Sequence, residues 1–169
     1  MAAVMGTTYP ELYAAVGIHS GLAYAAARDL PSAFAAMRGE KPKRSRKVRV
    51  AASAQAVPTI VFHGDSDTTV HPSNVDEVIE QASPQAGAEV HETRVKHERK
   101  VERGEIGGRA YTRTTYRDRG GKAMMEQWLV HGGDHAWFGG SAEGSYSDPS
   151  GPDASREMLR FFLQHENVR

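Results

Sequence analysis

Apolar positions along the chain come in short runs whose period changes, and these changes mark out the expected elements. Met1–Thr8 is alanine-rich and reads as a helix that stops at Gly6 or just before Tyr9-Pro10, since the residue ahead of a proline is pushed out of the α region. Tyr13–His19 (YAAVGIH) is a short strand pattern closing in Ser20-Gly21. A helix tightly followed by a strand is the second half of a βαβ unit, so the first strand of that unit is expected to be absent. Within Ala23–Arg38, the segment LPSAFAAMRG predicts a helix from Ser32 as N-cap to Gly39 just past its end. Pro58–Phe62 is a continuous apolar run of the kind buried in a parallel sheet. Pro72–Gln81 predicts a helix opened by Pro72 or Ser73, with Val75, Val78 and Ile79 on one face. Ala88–Arg103 is dominated by charge and has no apolar stripe, so a mobile or edge segment is expected. Arg109–Asp118 alternates with period two and reads as a half-exposed strand, and after the turn at 119–122, Ala123–His131 is its antiparallel partner. Pro152–His165 is the closing helix, with Met158, Leu159, Phe161, Phe162 and Leu163 as the face expected to pack on a sheet. The fold class is α/β.

Three of these strands end in polar loops, and that is where open α/β sheets place ligands and catalytic groups. The first delivers His19-Ser20, the second Asp65 and Asp67 in VFHGDSDTTVHP, and the third Asp134-His135 in GGDHAWFGG. An acid after one strand and a histidine after a later one is the chain order of the last two members of an α/β-hydrolase triad. Histidine can take and return a proton near neutrality, and a buried acid fixes its tautomer and stabilises the imidazolium. On spacing alone, Asp65 and Asp67 are equivalent candidates. Either acid could instead cap the next helix or bind turn backbone, Ser20 could be an ordinary loop serine, and Trp137 and Phe138 could line an acyl pocket or simply pack their loop.

Composition narrows this picture. Acidic and basic residues balance at 21 each, so net charge does not argue for nucleic acid or a membrane surface. The absence of cysteine excludes a disulfide framework, a thiolate metal site and a cysteine nucleophile. No apolar stretch is long enough to span a bilayer. The N-terminal MAAVMGTTYPELYAAV lacks the charged start and uninterrupted apolar core of an export signal. The basic run Lys41–Arg49 has no interleaved aromatics and reads as a solvated loop rather than a polyanion site. His63, Asp65, Asp67 and His71 match no zinc-ligand spacing. Neither metal nor cofactor is expected.

Four stretches carry a more specific signal. MAAVMGTTYPELYAAVGIHSGLAY, VPTIVFHGDSDTTVHPSN, WLVHGGDHAWFGG and GSYSDPSGPDASREMLRFF together resemble the polyhydroxybutyrate (PHB) depolymerase-like esterases, an α/β-hydrolase family that includes feruloyl-esterase-like members. The resemblance implies an esterase acting on hydroxyalkanoate or aromatic esters. It places the family's acid, in the pattern HG-x-x-D-x-x-V, on Asp67, and its histidine, in G-x-x-H-A-W, on His135. His19, Ser20, Trp137 and Phe138 become candidates for the substrate pocket. The family's nucleophile elbow precedes the stretch matched by MAAVMGTTYP, and the sequence begins just after it. Gly17-Ile18-His19-Ser20-Gly21 has its serine one place too late for an elbow, and Gly139-Gly140-Ser141-Ala142-Glu143 lacks the last glycine. The expectation is therefore a single partial domain over residues 1–169: the later sheet strands and flanking helices of an α/β-hydrolase, without its N-terminal strands, nucleophile or oxyanion hole. An exposed sheet edge and self-association through it would follow. Family members are often secreted, but the compartment of this chain cannot be read from its residues.

Overall fold

The computed structural model of the protein describes residues 1–40, 56–83 and 98–166. The elements of the described residues run α1 (Ala2–Thr8), β1 (Val16–His19), α2 (Leu30–Met37), β2 (Thr59–Gly64), α3 (Asn74–Ala82), β3 (Glu98–Ile106), β4 (Arg109–Arg117), β5 (Ala123–Val130), the two-residue strands β6 (Trp137–Phe138) and β7 (Ser147–Asp148), and α4 (Ala154–Phe162), with a 3-10 turn at Pro10–Leu12. The described residues form an α/β structure around a five-stranded sheet of order β1-β2-β5-β4-β3. β1, β2 and β5 are parallel, whereas β5, β4 and β3 are antiparallel.

The apolar run of β2 explains its place inside the parallel half. All six of its residues are buried, because it is covered on both faces. Ile60 and Phe62 point to the face closed by α4 and join Trp128, Val130, Phe138, Met158 and Phe161. Val61 points to the other face and packs with Ile18, Val75 and Val78 under α3. Gly17 permits close packing on the α4 side, since a Cβ there would lie 2.6 Å from Met158 Sδ and 3.0 Å from the Phe162 ring. The antiparallel half is more polar. In its outer hairpin Glu102 lies directly across from Arg113, and the two are 2.6 Å apart.

Two elements differ from the sequence reading. α2 begins earlier than a Ser32 cap requires: Asp29 is the N-cap, its carboxylate accepts from Ser32 N–H at 2.8 Å, and Ser32 Oγ in return accepts from Asp29 N–H at 3.1 Å. Pro31 fits inside this first turn because its missing N–H has no helical partner to lose. The apolar face of α4 is narrower than expected. Met158 and Phe161 are buried, but Leu159 and Leu163 are exposed because they lie on the opposite side of the helix. Of the two alternatives for the charged stretch, the edge reading holds for residues 98–103, which belong to β3, a regular strand at the sheet edge. Its lack of an apolar stripe reflects water on both of its faces. The rest of Ala88–Arg103, and the basic run Lys41–Arg49, lie outside the described residues. Helices near both ends, the β4–β5 hairpin and the positive-φ Gly39 after α2 are as expected.

Candidate functional site

β2 and β5 are parallel neighbours that end together, with Gly64 opposite Val130. Their pairing continues into the loops: Asp65 N–H donates to Val130 O at 3.1 Å and Ser66 N–H to Gly133 O at 3.0 Å. So close an approach needs glycine at position 64, where a Cβ would lie 2.1 Å from Gly133 O. The loop after β2 and the loop after β5 are thus interlocked, and they bring their acids and histidines face to face.

Asp67 is buried, with a fully covered side chain. Its Oδ1 accepts from the N–H groups of Thr69 (2.9 Å) and Val70 (2.8 Å). Its Oδ2 faces His135 Nδ1 at 2.8 Å. Asp67 therefore organises its own turn, while α3 starts separately at the N-cap Ser73. Burial alone would raise the Asp67 pKa, but the Val70 N–H, His135 and the Thr69 N–H outweigh it and hold the carboxyl below its ordinary value. Because that carboxylate can only accept, His135 Nδ1 carries the ring proton and Nε2 holds the free lone pair. Among the described residues nothing hydrogen-bonds to Nε2, and the ring is about one-third exposed (34%). A buried acid that orients an imidazole with an open, basic nitrogen is the arrangement of a general base.

Two further histidines crowd this pair. His63 Nε2 donates to Val70 O at 2.7 Å and lies 3.4 Å from Asp67 Oδ2, while its Nδ1 is buried without a partner among the described residues. Burial lowers its pKa and keeps the ring neutral. His19, at the end of β1, stacks on Trp137 with centroids 4.7 Å apart and packs against Phe138. Its Nε2 accepts from Phe138 N–H at 3.2 Å, so in the neutral ring Nδ1 carries the proton and donates to Ser20 Oγ, also at 3.2 Å. Burial first, then repulsion from His63 and His135, pushes the His19 pKa down to about 4.

These bond directions separate the candidates. The structure brings together Asp67, His135 and His19. Ser20 has a left-handed backbone (φ 47) at a strand end, yet its hydroxyl oxygen accepts a hydrogen bond from His19 rather than donating one to it, and no helix follows it directly. Phe138 is wholly buried in the core, and Trp137 is 40% exposed, with its indole N–H donating to Ser155 Oγ at 3.1 Å. Ser141 Oγ accepts from Glu143 N–H within its own loop. Among the described residues no group of three or more His, Asp or Glu side chains is arranged to hold a metal ion.

The sequence reading missed a second pairing between the same two loops. His131 Nδ1 lies 2.8 Å from Asp65 Oδ2, and its Nε2 lies 2.9 Å from Thr112 Oγ1. The signal was available in register: once β2 and β5 pair in parallel with Gly64 opposite Val130, Asp65 must meet His131.

A sequence model of the family described as Esterase PHB depolymerase matches residues 1–99. That span contains β1, β2 and Asp67 and ends before β5 and the His135 loop. A comparison with curated proteins finds no match.

Proposed function

The chain belongs to the PHB depolymerase esterase family, and from that membership we propose that Asp67 and His135 are the acid and base of a serine-type ester hydrolysis. The observation that carries this reading is the 2.8 Å bond from His135 Nδ1 to a buried carboxylate, which leaves Nε2 open. The nucleophilic serine and the oxyanion-binding N–H groups are supplied in this reading from outside residues 1–169, as the later part of an α/β-hydrolase domain would require. The serine oxygen attacks the ester carbonyl carbon while its proton passes to His135 Nε2, and Asp67 stabilises the imidazolium so formed. Collapse of the tetrahedral intermediate breaks the bond to the alcohol oxygen, which takes the proton back from Nε2. A water molecule then repeats the sequence on the acyl-enzyme. The substrate is a hydroxyalkanoate or aromatic ester; of the candidate pocket residues, Phe138 is buried in the core and Ser20 is held by His19, so the wall beside His135 is formed by His19 and Trp137. Their stacked rings suit an apolar acyl chain or an aromatic group.

The test is turnover of p-nitrophenyl esters by this chain and by one extended upstream of Met1. The extended chain is expected to hydrolyse the ester and to lose nearly all of that activity in His135→Ala. An inert extended chain, or an active His135→Ala variant, would overturn the assignment. A second reading, a binding module that keeps the pocket without the chemistry, is favoured for residues 1–169 alone by the lack of a described hydroxyl on His135 Nε2. Stoichiometric labelling of this chain by a fluorophosphonate would exclude it. Among the described residues β1 pairs with β2 only, which supports self-association through its outer edge. Size-exclusion chromatography with light scattering should then give a mass that falls on dilution, and a concentration-independent monomer would contradict it.

A further inference from the structure

The loops that carry Asp67 and His135 are joined a second time just upstream of each. Asp65 Oδ2 accepts from His131 Nδ1 at 2.8 Å, and Asp65 Oδ1 accepts from Gly132 N–H at 2.7 Å. Because Nδ1 holds the ring proton, His131 Nε2 accepts from the Thr112 hydroxyl at 2.9 Å. The carbonyl of Gly132 is held by Arg109 Nη1, and Arg109 is itself fixed by Asp148 (Nη2, 2.7 Å) and Ser150 (Nε, 3.0 Å). The Gly132 peptide, at φ 67, is therefore gripped by the β2 loop on its N–H side and by β4 on its carbonyl side. It leads directly into the turn that presents His135.

This bridge is not a second catalytic base, because both nitrogens of His131 are engaged. It is also poorly placed for stability: its side chains are 39% and 35% exposed, where solvent screens the pair. What it does fix is the spacing of two loops whose catalytic groups must meet within a fraction of an ångström. We propose that the Asp65–His131–Thr112 bridge, with Arg109 on the far side of Gly132, is a positioning device that sets the approach of His135 to Asp67. The proposal rests on the reading of Asp67 and His135 as the acid–base pair.

Long-range proton–nitrogen spectra of the histidine rings in this chain test it without need of a nucleophile. The wild type should show a slowly exchanging, hydrogen-bonded Nδ1 proton on His135. Asp65→Asn and His131→Ala should broaden it by fast exchange. His131→Gln should restore it, since its amide can donate to Asp65 and accept from Thr112. In the upstream-extended chain the two disruptive variants should lower kcat about 10- to 100-fold with KM little changed. Should Asp65→Asn fail to fold, Thr112→Val, which removes only the hydroxyl, decides in its place. Glu102→Gln, which breaks the Arg113 pair in the outer hairpin, should leave the His135 proton unchanged. A bonded His135 proton that persists in Asp65→Asn, or in Thr112→Val, would overturn the positioning role alone. So would an equal effect from Glu102→Gln. No bonded proton in the wild type would overturn the acid–base reading itself.

Discussion

The loops after β2 and β5 hold two aspartate–histidine pairs with the same 2.8 Å contact, and the two pairs have different chemistry. Asp67 is sealed from water and fed by two backbone N–H groups, and the histidine it orients keeps one nitrogen free among the described residues. Asp65 is part-exposed, and its histidine has both nitrogens occupied. Burial opposes ionisation of both acids, and in both the hydrogen bonds outweigh it and hold the pKa below its ordinary value. The acids therefore resemble each other electrostatically, and the decisive difference lies at the far nitrogen of each imidazole. Contact distance alone does not identify a general base; the unengaged lone pair does.

Exchanging each acid for its amide breaks the comparison most sharply. In the upstream-extended chain, Asp67→Asn should reduce kcat/KM about 10⁴-fold, because the amide N–H can present the wrong partner to His135 and force the other tautomer. Asp65→Asn should cost only about 10- to 100-fold. Equal losses, measured with a p-nitrophenyl ester, would erase the distinction. Next in size, Gly64→Ala must push apart the loops that carry both pairs, since its Cβ would meet backbone rather than a flexible side chain. It should lower unfolding stability by about 3 kcal/mol, read as a shifted urea midpoint; an unchanged midpoint would show that the loops separate freely.

The third prediction concerns pH. The His19 pKa is lowered in the folded state to about 4, below its unfolded value near 6.5. Between these values the unfolded chain binds a proton that the folded chain refuses, so stability is full above pH 6.5 and is lost as pH falls toward 4. The loss is on the order of 3 kcal/mol, and His19→Gln should flatten this part of the stability profile. Asp67 acts lower: its stabilisation is present above the unfolded carboxyl value of about 4 and is lost as pH falls through its still lower folded pKa. The smallest effect belongs to Trp137→Ala. Removing this part-exposed ring should cost no more than about 1 kcal/mol, while hydrating His19 and raising its pKa toward the ordinary range, visible in an NMR titration.

Much of this architecture could be read from the residues. The apolar run at Thr59–Phe62 announces a strand covered on both faces, and the alternation in Arg109–Asp118 announces the hairpin partner of β5. Asp67 and Asp65 could not be ranked by spacing, since both follow the same strand end; the family pattern favoured Asp67, and the structure shows it as the buried acid facing His135. Other features depend on tertiary neighbours. Leu159 and Leu163 look like core residues in a one-dimensional pattern, but among the described residues no element covers that side of α4. Ser32 has the side chain of an N-cap, yet Asp29 takes that position and Ser32 returns the bond. The His131 bridge becomes visible only when strand register is added to composition.

The most direct measurement of the central claim is the tautomer of each histidine in the wild-type chain at neutral pH, from the nitrogen shifts of its ring. His135 should show a protonated Nδ1 and a lone-pair Nε2 with no hydrogen-bond donor on it. His131 should show the same tautomer with Nε2 shifted by the Thr112 hydroxyl. A His135 ring protonated at Nε2, or one whose Nδ1 has no bond to Asp67, would contradict the assignment of the pair as the acid and base of an esterase.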